Sequence, residues 1–269
     1  MTKILANDGI SQAGIDALTE KGFEVITEKV AQEDLINIIN TENYEVLLVR
    51  SATTVRKDLI DACPHLKVVG RGGVGMDNID VDYARKKGIN VINTPAASSA
   101  SVAELVFAHL FGMVRFLFDS NRQMPMTGDA DFKNLKKSYA NGRELAGKTL
   151  GIIGFGRIGQ EVAKRAIGLG MKVIAHDKFI EEVNITLDFF NGDKKSFTIE
   201  TESLKEVLSN SDFITLHIPK IGDKAVIGAE EIGMMKTGAG IVNAARGGVI
   251  DETALMFALD KEKLAYAGL

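Results

Sequence analysis

Short β-rich runs alternating with helical patterns from the first residue predict an α/β protein made of two doubly wound parallel-sheet domains. The alternation halts at a small-residue linker, Thr94-Pro95-Ala96-Ala97-Ser98-Ser99, and restarts near Gly147, so there are two series rather than one. A chain of 269 residues is long for one domain and comfortable for two cores.

In the first series, strands are expected over Lys3–Ala6, Phe23–Ile26, Val46–Val49, Val68–Gly70 and Asn90–Ile92, with helices near 11–21, 31–39, 55–61 and 80–87. Ser101 to Phe118 reads as one long helix, apolar nearly all round and therefore buried between domains or subunits. Arg122 to Arg143, richer in Gly, Lys and Asp, reads as a looser excursion from the globule. The second series places strands at 148–153, 172–176, 212–216, 239–243 and 265–269. Between them, alternating runs flank Asn191-Gly192-Asp193, which predicts a surface β-hairpin ahead of a helix at 203–209.

Residues 148 to 177 contain a full nucleotide-binding frame. A buried strand, Lys148 to Ile153, leads into Gly154-Phe155-Gly156-Arg157-Ile158-Gly159, a G-x-G-x-x-G, then a helix and a second strand ending at Asp177. Gly154 makes the tight turn, Gly156 lets backbone approach a pyrophosphate, and Gly159 lets the helix pack on the strand. The helix N-terminus offers N–H groups and a positive dipole end to the phosphates. Asp177 suits the two ribose hydroxyls and would repel a 2′-phosphate, so NAD(H) is the expected cofactor; the adjacent Lys178 is the one cation that could tolerate NADP(H).

Composition narrows the function classes. With 45% hydrophobic and 25% charged residues the chain is ordinary globular material. Its net charge of −4 offers no basic field for nucleic acid or an anionic membrane surface. Cys63 is the single cysteine, which excludes an intrachain disulfide and a thiolate metal cluster, and it reads as a small apolar core residue. His65, His109 and His176 show no spacing that suggests a metal. The start, Met1 to Ala6, lacks a signal-peptide layout, and Val102 to Phe118 is too short and too charged to span a bilayer, so a cytoplasmic setting is expected.

Four motifs then carry a family resemblance. They are Val69 to Asp80 (VGRGGVGMDNID), Asn93-Thr94-Pro95 with Ser101-Val102-Ala103-Glu104, the glycine frame at 154–159, and Ile241 to Asp251 (IVNAARGGVID). In this order, over essentially the whole chain, they resemble the D-isomer-specific 2-hydroxyacid dehydrogenase family. The resemblance implies a flavodoxin-like substrate domain over residues 1–95 and a Rossmann NAD-binding domain over 96–269. It further implies hydride transfer between nicotinamide and a 2-hydroxy or 2-oxo acid, at the carboxyl ends of the strands in the cleft between domains.

Residue by residue, it makes Arg246 catalytic: a fixed cation after a strand can bind the carboxylate and carbonyl of a 2-oxo acid. Read alone, Arg246 could instead pair with Asp251. Gly72, Gly73, Val74 and Gly75 form a turn after a strand whose free N–H groups could make an anion nest, and the family places Val74 and Gly75 against substrate carboxylate and nicotinamide. Arg50 and Arg71, at neighbouring strand ends, with Ser51 form a phosphate site by the same resemblance, although strand-end arginines also simply face water. His217, Ile218 and Pro219 are expected on the cofactor rim, together with Arg157, Ile158, Ala244 and Ala245. The family also uses a histidine acid/base held by a glutamate; both are expected beyond Leu269, as in a truncated form of a longer protein. A phosphorylated substrate such as 3-phosphoglycerate is expected first, then another D-2-hydroxy acid (glycerate, glyoxylate, lactate), then a non-enzymatic NAD(H)-binding corepressor-like role. A homodimer is expected in each case.

Overall fold

The computed structural model describes residues 1–220 and 222–269. They form two compact units, Met1–Ser98 and Ser99–Leu269.

The first unit runs β1 (Lys3–Ala6), α1 (Gln12–Glu20), β2 (Glu24–Ile26), α2 (Leu35–Thr41), β3 (Val46–Val49), α3 (Lys57–Ala62), β4 (Val68–Arg71), α4 (Val81–Lys86) and β5 (Asn90–Asn93). Its sheet is wholly parallel, in the order β2-β1-β3-β4-β5. Leu5, Leu47, Val49, Val69 and Val91 from the strands share one core with Leu35, Ile39 and Leu59 from the helices. Sheets covered by helices on both faces need such apolar runs. Ser11 caps α1 by accepting from the Gly14 N–H at 3.3 Å. The helix stops at Gly22, whose φ of +83° and N–H bond to the Thr19 carbonyl make a glycine-type terminus.

The second unit opens with α5 (Ser99–Val114) and α6 (Leu117–Ser138), followed by a 3-10 turn at Tyr139–Asn141. There follow β6 (Thr149–Ile153), α7 (Arg157–Gly168), β7 (Lys172–His176), β8 (Glu182–Asp188), β9 (Lys194–Glu200) and α8 (Leu204–Asn210). The remainder is β10 (Phe213–Leu216), α9 (Ala229–Met234), β11 (Ala239–Asn243), α10 (Glu252–Asp260) and β12 (Leu264–Gly268). The parallel sheet has the order β12-β11-β10-β6-β7. Counted within each unit, both sheets follow the 2-1-3-4-5 order of a doubly wound fold. Each therefore reverses direction beside its first strand, between β1 and β3 and between β6 and β10, where such sheets open a crevice at the carboxyl edge.

The expected hairpin is present as the antiparallel pair β8–β9, in register from Glu182 opposite Glu200 to Asp188 opposite Lys194. Its turn uses Gly192 at φ +88°, and Ile185 and Ile199 anchor it in the core of this unit.

Two readings of the linker region need correction. The helix expected over Ser101–Phe118 ends at Val114, because Phe116 adopts a left-handed conformation (φ 56°) and the freed Val114 carbonyl accepts from Arg143 N–H at 2.9 Å. Within the unit Ala103, Val106, Phe107, Leu110 and Val114 are buried, while Leu105 and Phe111 remain exposed. The segment expected to be loose is helical through Ser138. Pro125, Gly128 and Asp131 concealed it by low helix propensity, and the distorted Asp131 (φ −129°) marks where regularity is lost. None of α6 is buried, so it does stand away from the core. Among the described residues, no single helix is long and apolar enough to cross a membrane.

The second sheet depends on close helix contact at Gly151. A Cβ there would overlap Ser211 Oγ and lie 2.9 Å from Val207 Cγ1. Gly151→Ala is therefore expected to lower stability by about 1–3 kcal/mol, the usual range for overpacking, in a chemical denaturation series. An unchanged midpoint would contradict this packing.

Candidate active site

Strand register assembles the second unit's site. His176, Ile153, Leu216 and Asn243 end four adjacent strands side by side. The next residues in each strand, Asp177, Gly154, His217 and Ala244, thus fall in a row along the carboxyl edge. All the residues assigned to the cofactor in this unit lie on or just after that row.

Gly154 has φ +93°, and a Cβ would sit 2.6 Å from the His217 carbonyl oxygen. At Gly159 a Cβ would overlap the Gly154 carbonyl oxygen and stand 3.1 Å from Ile152 Cγ2, so α7 can approach β6 only without a side chain here. Gly156, which caps α7, has nothing within 4 Å of its missing Cβ. One glycine is thus demanded by the turn, one by helix packing, and one leaves open backbone at the start of α7. Arg157 and Ile158 begin α7, with Ile158 packed against the core. Asp177 Oδ2 accepts from Phe155 N–H at 2.7 Å and Oδ1 from Phe179 N–H at 2.9 Å. Each oxygen retains a lone pair for a ribose hydroxyl. The carboxylate is also a strut for the glycine loop, a role the sequence alone did not reveal. These residues fit a dinucleotide.

His217 begins the loop after β10. Its Nε2 lies 3.0 Å from Thr215 Oγ1, Nδ1 is inaccessible with no partner among the described residues, and burial pushes its pKa down to about 4. A neutral, enclosed imidazole suits the rim rather than proton transfer; Ile218 and the exposed Pro219 follow it. Arg246 is exposed, three residues past β11. Asn243 shapes its loop by accepting from Ala245 N–H (3.1 Å) and donating to the Arg246 carbonyl (2.8 Å), and Arg246 Nη1 donates to the Ala245 carbonyl. Asp251, its alternative partner by sequence, caps α10 by accepting from Ala254 N–H at 3.0 Å.

In the first unit, Arg50 and Arg71 line one pocket of about 620 Å³ at the carboxyl edge. Leu48 and Ile92 give it an apolar side, and Ser11, Asn93 and Thr94 add polar groups. Ser51 instead borders an adjoining hollow with Asp8, Lys29 and Arg50. Gly73 is where the Arg71 guanidinium lies: a Cβ there would overlap it. The turn is less open than its glycines suggest. Gly72 N–H donates to the Val49 carbonyl, Thr94 N–H to the Gly73 carbonyl, and Asn93 Nδ2 to the Val74 carbonyl. The expected nest of free N–H groups is thus corrected at Gly72, while the exposed Val74 and the half-buried Gly75 keep their places in the turn.

Two side chains missed by sequence reasoning hold this edge. Asp8, just past β1, accepts from Arg50 N–H (2.6 Å), Thr53 N–H (3.1 Å) and Thr53 Oγ1 (2.8 Å). Partial burial alone would raise its pKa, but these bonds, with Lys29 nearby, hold it below the usual carboxylate value. Asn78 bonds Arg71 and the carbonyls of Arg50 and Thr53. The position of Asp8 after the first strand of a doubly wound sheet was the available signal. Away from these edges, burial drives the Cys63 thiol up to about 11, so it stays a thiol, and His176 Nδ1 meets the Glu202 carbonyl at 2.8 Å. Among the described residues, no group of three or more His, Cys, Asp or Glu could hold a metal.

Two outcomes follow from this geometry. Gly159→Ala should reduce NADH affinity by roughly tenfold or more, read by fluorescence titration, because backbone overlap strain runs to about 1–3 kcal/mol; an unaltered Kd would contradict the packing role. Asp8 has a folded pKa below its unfolded one, so its stabilisation is complete above about pH 4 and fades as pH falls through the folded value. Asp8→Asn should flatten that acid limb in a pH series of unfolding free energies, and parallel acid limbs would refute it.

Residues 107–269 match the model of the D-isomer specific 2-hydroxyacid dehydrogenase family, NAD binding domain. The whole chain is 42% identical to a D-3-phosphoglycerate dehydrogenase from Methanocaldococcus jannaschii, of which it spans 48%. It is 40% identical, over 99% of its length, to a hydroxypyruvate reductase from Thermotoga maritima, of which it spans 81%. Among solved structures, the TT0316 protein from Thermus thermophilus superposes with a TM-score of 0.82 at 29% identity, covering 100% of this chain and 81% of that one. The chain thus spans about half the length of the phosphoglycerate dehydrogenases it matches and most of the reductase. With its glycine frame, strand order and whole-length relatives in agreement, the chain belongs to the D-isomer specific 2-hydroxyacid dehydrogenase family.

Proposed function

We propose that the protein is an NAD-dependent oxidoreductase interconverting 3-phosphoglycerate and 3-phosphohydroxypyruvate, the entry step of serine biosynthesis. The observation that carries this reading is the pair of arginines, Arg50 and Arg71, lining a single pocket. Two guanidinium groups at one strand edge are more cation than an uncharged hydroxymethyl group requires, and they suit a phosphoryl group. The 42% identity to a phosphoglycerate dehydrogenase supports the same choice.

In this proposal Arg50 and Arg71 bind the phosphoryl group, Ser51 approaches it from the adjoining hollow that Arg50 shares, and Gly73 leaves room for the Arg71 head. Val74 and Gly75 meet the substrate carboxylate. Arg246 binds the carbonyl oxygen at C2 and stabilises the negative charge that grows there. Gly154, Gly156, Arg157, Ile158 and Gly159 cradle the pyrophosphate of NAD(H), Asp177 takes the ribose, and His217, Ile218, Pro219, Ala244 and Ala245 form the rim. NAD(H), when bound, supplies or accepts the hydride. The exposed Leu105, Phe111, Leu117 and Phe118 on α5 and α6 support a homodimer, and the buried thiol of Cys63 suits a reducing cytoplasm.

A second reading is favoured by the reductase relative: an unphosphorylated acid such as hydroxypyruvate. NADH oxidation by the full-length protein separates them. A strong preference for phosphohydroxypyruvate over hydroxypyruvate is expected; equal rates would overturn the phosphorylated substrate. Arg246→Ala should lower kcat/KM by roughly 3 kcal/mol, the scale of a lost oxyanion donor, and an unchanged rate would remove Arg246 from the chemistry.

A further inference from the structure

We propose that Asn78 is a positioning residue that makes Arg50 and Arg71 one phosphate receptor; this rests on the reading of their pocket as a phosphate site. Its side chain joins three otherwise separate pieces of chain. Oδ1 accepts from Arg71 Nε at 2.9 Å, while Nδ2 donates to the Arg50 carbonyl at 2.8 Å and the Thr53 carbonyl at 2.6 Å. One carboxamide thus fixes the direction of one guanidinium and the backbone that carries the other.

The backbone of Asn78 is itself immobilised. Its carbonyl accepts from Val55 N–H at 2.8 Å, the neighbouring Ile79 bridges Val55 and is buried, and Asp80 N–H donates to the Val55 carbonyl. The amide therefore projects from a fixed point. An arginine held at Nε has lost rotamer freedom before any ligand arrives and keeps its Nη groups for an anion, which is how preorganisation strengthens binding.

The chemistry needs an amide. Aspartate would keep an acceptor for Arg71 but set a carboxylate oxygen against two carbonyls, and alanine would lose all three bonds. The loop from Arg50 to Thr53 keeps separate anchors: Asp8 holds Arg50 and Thr53, and Asn7 Nδ2 reaches Thr53 Oγ1 at 2.9 Å. Loss of the Asn78 side chain should thus disorder the receptor without unfolding the unit.

The test uses the full-length protein, with Asn78→Ala and Asn78→Asp. On phosphohydroxypyruvate, Asn78→Ala should raise KM by about tenfold or more with kcat within about twofold of wild type, as loss of uniform binding predicts, while constants for hydroxypyruvate barely move. Asn78→Asp, which turns a carboxylate oxygen toward two carbonyls and adds negative charge beside the receptor, should raise KM for phosphohydroxypyruvate at least as much. Equal losses on both acids, or no loss, would overturn the proposal. A second readout is independent of the reaction: the Arg71 Nε–H resonance, assigned with Arg71→Lys, should shift with inorganic phosphate in wild type and respond weakly in Asn78→Ala. The same response in both proteins would overturn the positioning role. A wild type that ignores the substrate's phosphoryl group yet shows this resonance difference would instead overturn the phosphoglycerate reading alone.

Discussion

Gly154 stands at the end of β6 with the carbonyl of His217, the first residue past the adjacent strand, 2.6 Å from where a side chain would begin. No residue but glycine fits that contact, and the turn it permits points the chain toward the N-terminus of α7. The strands beside it end in step, so Asp177, His217 and the loop leading to Arg246 come to the same edge. Parallel hydrogen bonding fixes this alignment; a slip of one residue would turn each of these side chains to the opposite face. The dinucleotide site of this unit is thus a consequence of sheet register and of one missing Cβ.

The first unit has the same strand order and meets its edge differently. Where the second unit leaves the glycine backbone at Gly156 open, the first satisfies the loop after β3 with its own carboxylate, Asp8. The anion at that point is internal, and the side chains of Arg50 and Arg71 are what remain for a ligand in the neighbouring pocket. One architecture, repeated, yields an edge of open glycine backbone in one unit and a pocket lined by side chains in the other.

Much of this was legible from residues alone. The strand runs and the hairpin at Asn191-Gly192-Asp193 follow period-two patterning and turn chemistry, and the glycine frame follows from spacing. The break at Phe116 was not legible, because a left-handed phenylalanine has no sequence signature and the cause lies 27 residues on, in the Arg143 N–H that takes the Val114 carbonyl. Nor was α6, whose Pro125 and glycine argue locally against the helix they lie in. In the site, Arg50 and Arg71 share one pocket and Asp177 follows its strand end as the sequence predicts, because charge at a strand end is visible in sequence. Asp8 and Asn78 were overlooked because their partners lie at long sequence separation or are backbone groups, which composition does not reveal.

The most direct test of this edge as a nicotinamide cofactor site is competitive titration of the protein with NADH and NADPH. Asp177, braced by Phe155 N–H and Phe179 N–H, has little freedom to move away from a 2′-phosphate. NADH should bind at least about tenfold more tightly than NADPH, the effect of roughly 1.4 kcal/mol of charge repulsion and desolvation. Equal affinities, or no binding of either, would contradict the assignment of Gly154–Gly159 and Asp177.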